Sequence, residues 1–360
     1  MTEIPKITRK KPHKYTRRTF IQTSTLAATG VIFHGCQISS EPLVEVFPQP
    51  KSFARRSGEL SVNIGGSISS NAQEARYKIN GGEWRELPQG RPRVPPPLFN
   101  IELTVNELRL GKNQLTIEAK PKEGSAEIIS VDFEYDPTPI SLPIEIDWSQ
   151  AELDVQDGRW ETFQDENGWR VRPQPGFEEY DRILNLTGSF AQGRRIETDL
   201  IFRNDMGWRK WRKELRGDHG FGVLSMWGGH LEDENVRPRR GWHYGLGWYW
   251  EHNGLGLEFA ENLKGDSWQR VSSYQDFTPE ADLQYFIIIE CWPELDAAGQ
   301  HKHYRQRMKW WAKGETEPDT WVEIDDLEKD TPVLEPGEYS VGLLAHRCQV
   351  DFGPVKITSL

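Results

Sequence analysis

One short, glycine-rich stretch of the chain holds most of the side chains that could recognise a ligand. Between residues 220 and 259 it carries several tryptophans and tyrosines, three histidines and two adjacent arginines. Flat aromatic rings suit the apolar faces of a sugar, hydrogen-bonding groups suit its hydroxyls, and a nearby cation suits a carboxylate or sulfate. We therefore predict a carbohydrate-binding surface, with ligand contacts from Trp227, His230, Arg239, Arg240, Trp242, Tyr244 and Trp248.

Two of these residues are also of the types that catalysis would need. His230 follows two glycines, so its imidazole is expected to project at a strand end. A lyase that acts on a uronate needs a tyrosine or histidine as base and an arginine or amide to neutralise the carboxylate. The alternative prediction is therefore a polysaccharide lyase or glycoside hydrolase acting on an acidic glycan, with His230 and Tyr244 as catalytic residues. A third reading gives His230 only a structural role in a turn.

The elements that must position these residues are strands. From residue 58 to 137, apolar residues alternate with polar ones in short runs, and Asn80-Gly81-Gly82 between two runs predicts a hairpin. Prolines at 137 and 139 end this first region. Residues 142–360 are again rich in strand patterns, with predicted strands at 182–186, 195–202, 221–227, 244–250, 284–292, 305–311, 339–346 and 350–357. Helical periodicity is weak, and this pattern predicts a two-sheet jelly roll. In its Trp310-Trp311 pair, one ring should point inward and the other outward.

Two resemblances sharpen the prediction of an all-β fold. The phrases at 76–84, 99–103 and 110–116 resemble bacterial immunoglobulin-like modules found beside extracellular glycan-active domains. Phrases spread over the C-terminal region, among them Trp227-Gly228-Gly229-His230 and those at 342–346 and 350–355, resemble the concanavalin A-like lectin and glucanase superfamily in its laminin-G-like branch. The resemblances imply a small immunoglobulin-like sandwich (58–137) followed by a larger concanavalin A-like jelly-roll sandwich (142–360).

The second resemblance also raises the question of calcium. Members of that superfamily often hold Ca²⁺ through carboxylates and backbone oxygens, and the ion needs six to eight oxygens. Asp181 and Asp351 lie in loop-like settings and are the candidate metal ligands, although no spacing in the chain matches a dedicated calcium loop.

The first residues have the composition of an export signal. Basic residues precede a weakly apolar segment from Phe20 to Phe33, and residues 16–21, with Arg17 and Arg18, resemble the twin-arginine signal of bacteria. The segment ends in a glycine before Cys36, which resembles the box at which lipoproteins are cut and lipidated, although Phe33 and His34 depart from its usual residues. We expect 1–36 to direct export to the periplasm or cell surface, with lipid on Cys36, and 37–57 to be a flexible tether.

Composition limits the remaining classes of function. A net charge of −11 argues against a nucleic-acid partner, whose phosphates need a basic surface. The chain has no apolar run long enough for a spanning helix, so any membrane contact is expected only through the signal or a lipid anchor. Cys291 and Cys348 could pair in an oxidising compartment or stay reduced. Besides glycan binding and glycan cleavage, a structural or adhesive surface protein without a small ligand remains open.

Overall fold

The computed structural model describes residues 41–91, 94–176, 181–203, 219–230, 242–263, 267–324 and 337–360, and side chains within these ranges except at 89–96 and 261–269. The predicted all-β fold class is confirmed: the described residues form strands and one 3₁₀ helix, Val105–Glu107. None of the described helical residues makes a segment long and apolar enough to cross a membrane. Residues 41–360 form one compact unit.

The N-terminal sandwich consists of two sheets with the strand orders β1-β3-β7-β6 and β2-β9-β8-β4-β5. Its strands are β1 (Val44–Val46), β2 (Ser52–Phe53), β3 (Val62–Ile68), β4 (Ala72–Ile79), β5 (Arg85–Glu86), β6 (Gln89–Arg91), β7 (Val94–Leu103), β8 (Gly111–Pro121) and β9 (Glu127–Tyr135). The predicted hairpin is present between β4 and β5, where Asn80 and Gly81 both have positive φ.

The predicted tether is wrong for part of its length. Val44 pairs with Ile68 across β1 and β3, and Phe53 pairs with Tyr135 across β2 and β9. Val44 and Phe53 are buried in the core of the N-terminal sandwich. Residues 44–53 therefore belong to the sandwich, because their apolar side chains complete its core despite the prolines that surround them.

The C-terminal sandwich is larger. Its strands are β10 (Ile144–Ile146), β11 (Asp154–Asp157), β12 (Trp160–Asp165), β13 (Gly168–Pro173), β14 (Arg182–Asn185), β15 (Arg194–Arg203), β16 (Gly220–Trp227), β17 (His243–Trp250), β18 (Gly254–Leu263), β19 (Ser267–Gln275), β20 (Gln284–Leu295), β21 (His301–Ala312), β22 (Val322–Glu323), β23 (Ser340–His346), β24 (Gln349–Phe352) and β25 (Val355–Ser359).

These strands form two facing sheets with one apolar core between them. We call the sheet with the order β11-β14-β23-β16-β17-β18-β19 the front sheet, and the sheet that includes β13-β24-β15-β20-β21-β22 the back sheet. Val223 and Leu257 of the front sheet and Ile289 and Met308 of the back sheet all lie in the same core. The alternation predicted at residues 310 and 311 is confirmed, since Trp310 packs in this core and half-buried Trp311 stacks on Phe286 outside it.

Cys291 and Cys348 lie in the core and form no disulfide. Both are buried, and burial raises the pKa of the Cys291 thiol to about 12. The structure therefore contains the reduced alternative of the two that the sequence left open.

Candidate functional site

The outer face of the front sheet carries its own aromatic cluster, separate from the sandwich core. Tyr244, Trp248 and half-buried Trp250 share one side of β17, because strand side chains alternate. Trp227 joins them through a register shift between Leu224 and Met226. Without that bulge, Trp227 would point inward with Phe221 and Val223.

The rings of Trp248 and Trp250, both from β17, stack on each other and lie over the backbone of the neighbouring strand β16. Their centroids are 4.8 Å apart, with 27° between the ring planes. β16 makes room with a glycine, because a Cβ at Gly220 would lie 2.6 Å from the Trp250 ring and 2.8 Å from the Trp248 ring. The sheet thus allows these two large rings to lie close against its backbone.

Glu258 is the buried acid of this face. It lies on β18 opposite Leu246 of β17 and is 1% exposed. The Tyr244 hydroxyl donates to its Oε1 at 2.8 Å, and the Tyr274 hydroxyl donates to its Oε2 at 2.6 Å. Burial raises the pKa of the Glu258 carboxyl, although both phenols and the nearby Arg270 act in the opposite direction.

A second acid lies beside the tryptophan stack. Asp181 Oδ1 is hydrogen-bonded to Nδ1 of His346, and both side chains are buried. The His346 ring meets Trp250 at a centroid distance of 5.1 Å and a steep angle. Arg270, half-exposed, completes the polar set with its Nη1 3.7 Å from Glu258 Oε2.

These groups surround one cavity of about 250 Å³, which we call the tryptophan groove. That volume is slightly below the roughly 300–1,000 Å³ of common small-molecule pockets. Its walls combine apolar ring faces with two carboxyl groups and a guanidinium, an arrangement that can pack against C–H faces and bond to hydroxyls. It is lined by Asp181, Ile183, Leu224, Trp227, Trp242, Tyr244, Trp248, Trp250, Glu258, Arg270, Leu344 and His346.

Four of the predicted ligand contacts line the groove: Trp227, Trp242, Tyr244 and Trp248. Trp227 is fully buried, whereas Trp242 is half-buried, with its ring 6.4 Å from that of Tyr244. The predicted contacts Arg239 and Arg240 lie outside the described residues, as does the predicted lipidation site Cys36.

His230 is not in the groove, contrary to the prediction that it projects into a site. It is 1% exposed, with Nε2 2.9 Å from the Asp157 carboxylate and Nδ1 3.6 Å from the Glu102 carboxylate. Glu102 belongs to the N-terminal sandwich and Asp157 to the C-terminal one. The two glycines that suggested an exposed turn instead let the chain approach the other sandwich, since a Cβ at Gly229 would lie 2.4 Å from the Glu59 carbonyl oxygen.

The environment of Tyr244 does not suit the base that was predicted. Burial and the adjacent Glu258 carboxyl raise the pKa of the Tyr244 phenol well above its usual value. The Tyr244 hydroxyl already donates to Glu258 rather than to the open groove, which does not favour the predicted role as a base. His230 lies outside the groove that Tyr244 lines, so the structure does not bring the two predicted catalytic residues together.

The structure does not bring together the two carboxylates predicted to bind Ca²⁺. Asp181 lies next to the front sheet and Asp351 is in β24 of the back sheet, where its Oδ2 accepts a hydrogen bond from Arg203 Nε at 2.5 Å. The described residues contain no group of three or more His, Cys, Asp or Glu side chains placed to hold a metal ion. Calcium binding stays a prediction.

Four aromatic or ionisable groove residues were predicted neither as ligand contacts nor as metal ligands: Trp250, Glu258, Arg270 and His346. Trp250 shares the period-two pattern of Tyr244 and Trp248, and that signal alone could have identified it. Arg270 and Glu258 lie on strands that the sequence pattern did not predict, so nothing placed them beside the tryptophans. His346 reaches the groove only because β23 pairs with β16.

No protein-family model matches the chain, and no curated protein matches it. Among solved structures, it is similar to the carbohydrate binding module CBM66 from Bacillus subtilis, with 13% identity and a TM-score of 0.32 over 57% of this chain and 95% of that one. It is also similar to a protein of unknown function with a galectin-like fold from Bacillus subtilis, with 11% identity and a TM-score of 0.29 over 57% and 90% of the two chains. A carbohydrate-binding module of the β-sandwich superfamily matches with 7% identity and a TM-score of 0.19 over 88% and 95%.

Proposed function

We propose that this protein binds a polysaccharide or oligosaccharide in the tryptophan groove. The observation that carries the proposal is the stacked pair Trp248 and Trp250 beside two buried carboxyl groups on the outer face of a sheet. Aromatic faces pack against the C–H faces of sugar rings, and carboxyl oxygens accept from sugar hydroxyls.

Retention on immobilised polysaccharides tests this proposal. The full chain is passed over a panel of neutral and uronate-bearing polysaccharides, with and without Ca²⁺, and the eluates are examined for new reducing ends and unsaturated products. Retention on at least one polysaccharide without product formation supports a binding protein. Absence of retention on the whole panel, in both conditions, would contradict the proposal.

A second candidate, glycoside hydrolysis, has one observation in its favour. Glu258 is a buried carboxyl whose pKa is raised, which is the property of a general acid, and Asp181 lines the same cavity. Reducing ends released by the native chain but not by the Glu258→Gln variant would favour this candidate. Release that persists unchanged in that variant would exclude Glu258 as the acid.

We also propose that residues 1–36 direct export and that a lipid on Cys36 anchors the protein to a membrane. The support is the sequence of that segment alone, because it lies outside the described residues. Fractionation of a bacterial host should find the native chain in membranes and the Cys36→Ala variant in the soluble exported fraction. Retention of the Cys36→Ala variant in membranes would contradict the lipid anchor.

A further inference from the structure

A second cavity, larger than the tryptophan groove, lies between the two sandwiches. Its volume is about 570 Å³, within the roughly 300–1,000 Å³ of common ligand pockets, which occur preferentially at domain interfaces. We call it the inter-sandwich cleft. One wall comes from β3, β7 and the segment after β1, and the other from the residues around β11 and β12.

Buried amides hold the two walls of the cleft together. The side-chain nitrogens of Asn63 and Asn100, both from the N-terminal sandwich, donate to the backbone oxygen of Gln156 at 2.7 and 3.1 Å. Asn63, Asn100 and Gln156 are all buried. The cleft is therefore part of a fixed interface within the compact unit.

The Gln156 side chain leaves one acceptor unused. Its Nε2 donates to the Asp154 carboxylate at 3.1 Å and to the Ser61 carbonyl at 3.4 Å. Because both partners are acceptors, the amide can have only this orientation, with the nitrogen toward them. Its Oε1 is buried and has no donor among the residues that the structure describes. Gln49 also lines the cleft, and its buried Oε1 likewise has no donor among the described residues.

The rest of the lining determines the chemistry of a ligand. Phe47, Leu98, Leu153 and Trp160 supply apolar and aromatic surface. Among the described residues of the lining, the one cationic side chain is that of Arg159, whose guanidinium carbon lies 4.3 Å from the centroid of the Phe47 ring. Two unused amide acceptors among aromatic walls favour a ligand that donates hydrogen bonds and has apolar faces, and the carboxylates Glu152 and Glu161 in the lining disfavour an anion.

We propose that the inter-sandwich cleft is a second ligand site, which takes a neutral, hydroxyl-bearing molecule of oligosaccharide size. Hydroxyls of the ligand donate to Gln156 Oε1 and Gln49 Oε1, and its apolar faces pack against Phe47 and Trp160. Binding here bridges both sandwiches, so the ligand also stabilises their contact. This site is independent of the tryptophan groove and does not rest on the function proposed for it.

Amide NMR spectra of the full chain, titrated with neutral tetrasaccharides of glucose, mannose and xylose, test the proposal. We expect the side-chain amide signals of Gln156 and Asn100 to shift in a saturable way. The Gly65→Leu variant should lose these shifts, because Gly65 lines the cleft and a Cβ there has only ordinary contacts, at 3.7 Å from Phe47 and from the Phe99 carbonyl. Ser67→Leu, which adds the same side chain two residues along β3 and outside the cleft lining, is the matched control and should keep them.

Three results separate this proposal from the groove. Shifts at Gln156 that persist in the Trp250→Ala variant support a separate site. Shifts confined to groove residues overturn the cleft site and leave the groove as the sugar site. Shifts confined to cleft residues support the cleft site and contradict sugar binding in the groove. If Gly65→Leu does not fold, Thr162→Trp, at a half-buried position on the opposite wall, replaces it. Unchanged Gln156 signals with all three sugars at millimolar concentration overturn the proposal.

Discussion

At the scale of single residues, the groove depends on an acid that its own sequence context does not reveal. Glu258 lies in the phrase Gly-Leu-Gly-Leu-Glu-Phe, which contains nothing typical of a site. Its role arises from neighbours across the sheet: Tyr244 from β17 and Tyr274 from β19 bond its two oxygens. Residue types alone identified the tryptophans, but the polar half of the site required the strand register.

Glu258 should make the stability of the fold depend on pH. Because burial raises its pKa in the folded chain above the ordinary value of 4.5, the folded state binds the proton more tightly than the unfolded state. The stability that this group contributes is then complete below pH 4.5 and is lost as the pH rises through the raised pKa, with a slope of at most about 1.4 kcal/mol per pH unit.

Replacing Glu258 with glutamine should remove that dependence. The glutamine keeps the size of the side chain and can still bond to both phenols, so we expect a flatter fall of the unfolding free energy above pH 4.5 in the variant, measured by urea unfolding. Glu251→Gln, a change of the same kind at a half-buried acid bonded to His219 at 2.8 Å, is the control. Identical pH profiles for the native chain and Glu258→Gln would show that Glu258 is not destabilised by burial.

His230 was predicted as a site residue from its residue type, but the structure places it in the contact between the two sandwiches. A histidine after two glycines has the composition of an exposed turn, and it was predicted to act on a ligand. Its actual partners, Glu102 and Asp157, are distant in sequence and come from different sandwiches. Sequence patterns report local geometry, whereas the contact that decides the role of His230 forms only when the two sandwiches meet.

At the scale of the elements, strand patterns predicted much of the C-terminal sandwich. Strands β14, β15, β16, β17, β20 and β23 coincide with predicted runs to within about a few residues, because each alternates or is continuously apolar. β18 and β19 were not among the predicted strands, although Leu255, Leu257 and Phe259 of β18 alternate with Gly256 and Glu258 as a half-buried strand does. Because β18 was missed, its outward-facing Glu258 was missed with it.

The register shift in β16 is the element-scale feature that shapes the groove. The shift between Leu224 and Met226 lets both Met226 and its neighbour Trp227 be buried, one in the sandwich core and the other in the outer cluster. In a regular strand that keeps Phe221 and Val223 in the core, residue 227 would face the core and residue 226 would face outward, the opposite of what is observed. Nothing in the local sequence signals this bulge, which explains why Trp227 could be predicted as a ligand contact but not as a fully buried wall.

At the scale of the whole molecule, the N-terminal sandwich is joined to the C-terminal one through buried polar contacts. Arg56 forms an ion pair with Asp154, Glu59 bridges to Gly229, and His230 lies between carboxylates of both sandwiches. Removal of one partner from a buried ionic contact of this kind strongly destabilises the fold, because the other charge is left buried and unpaired. The sequence predicted where the first sandwich ends, but it could not predict the contact between the two sandwiches, because interface residues have no periodic signal.

The central claim, glycan binding at Trp248 and Trp250, is tested most directly by calorimetric titration of the full chain with the polysaccharide that retains it best. The native chain is compared with Trp250→Ala and with Trp311→Ala, a matched change on the outer face of the back sheet. Truncation of an aromatic hot spot costs about 2 kcal/mol or more, so we expect Trp250→Ala to weaken binding by about thirtyfold or more and Trp311→Ala to leave it unchanged. Equal affinities of the native chain and a folded Trp250→Ala variant would contradict the account.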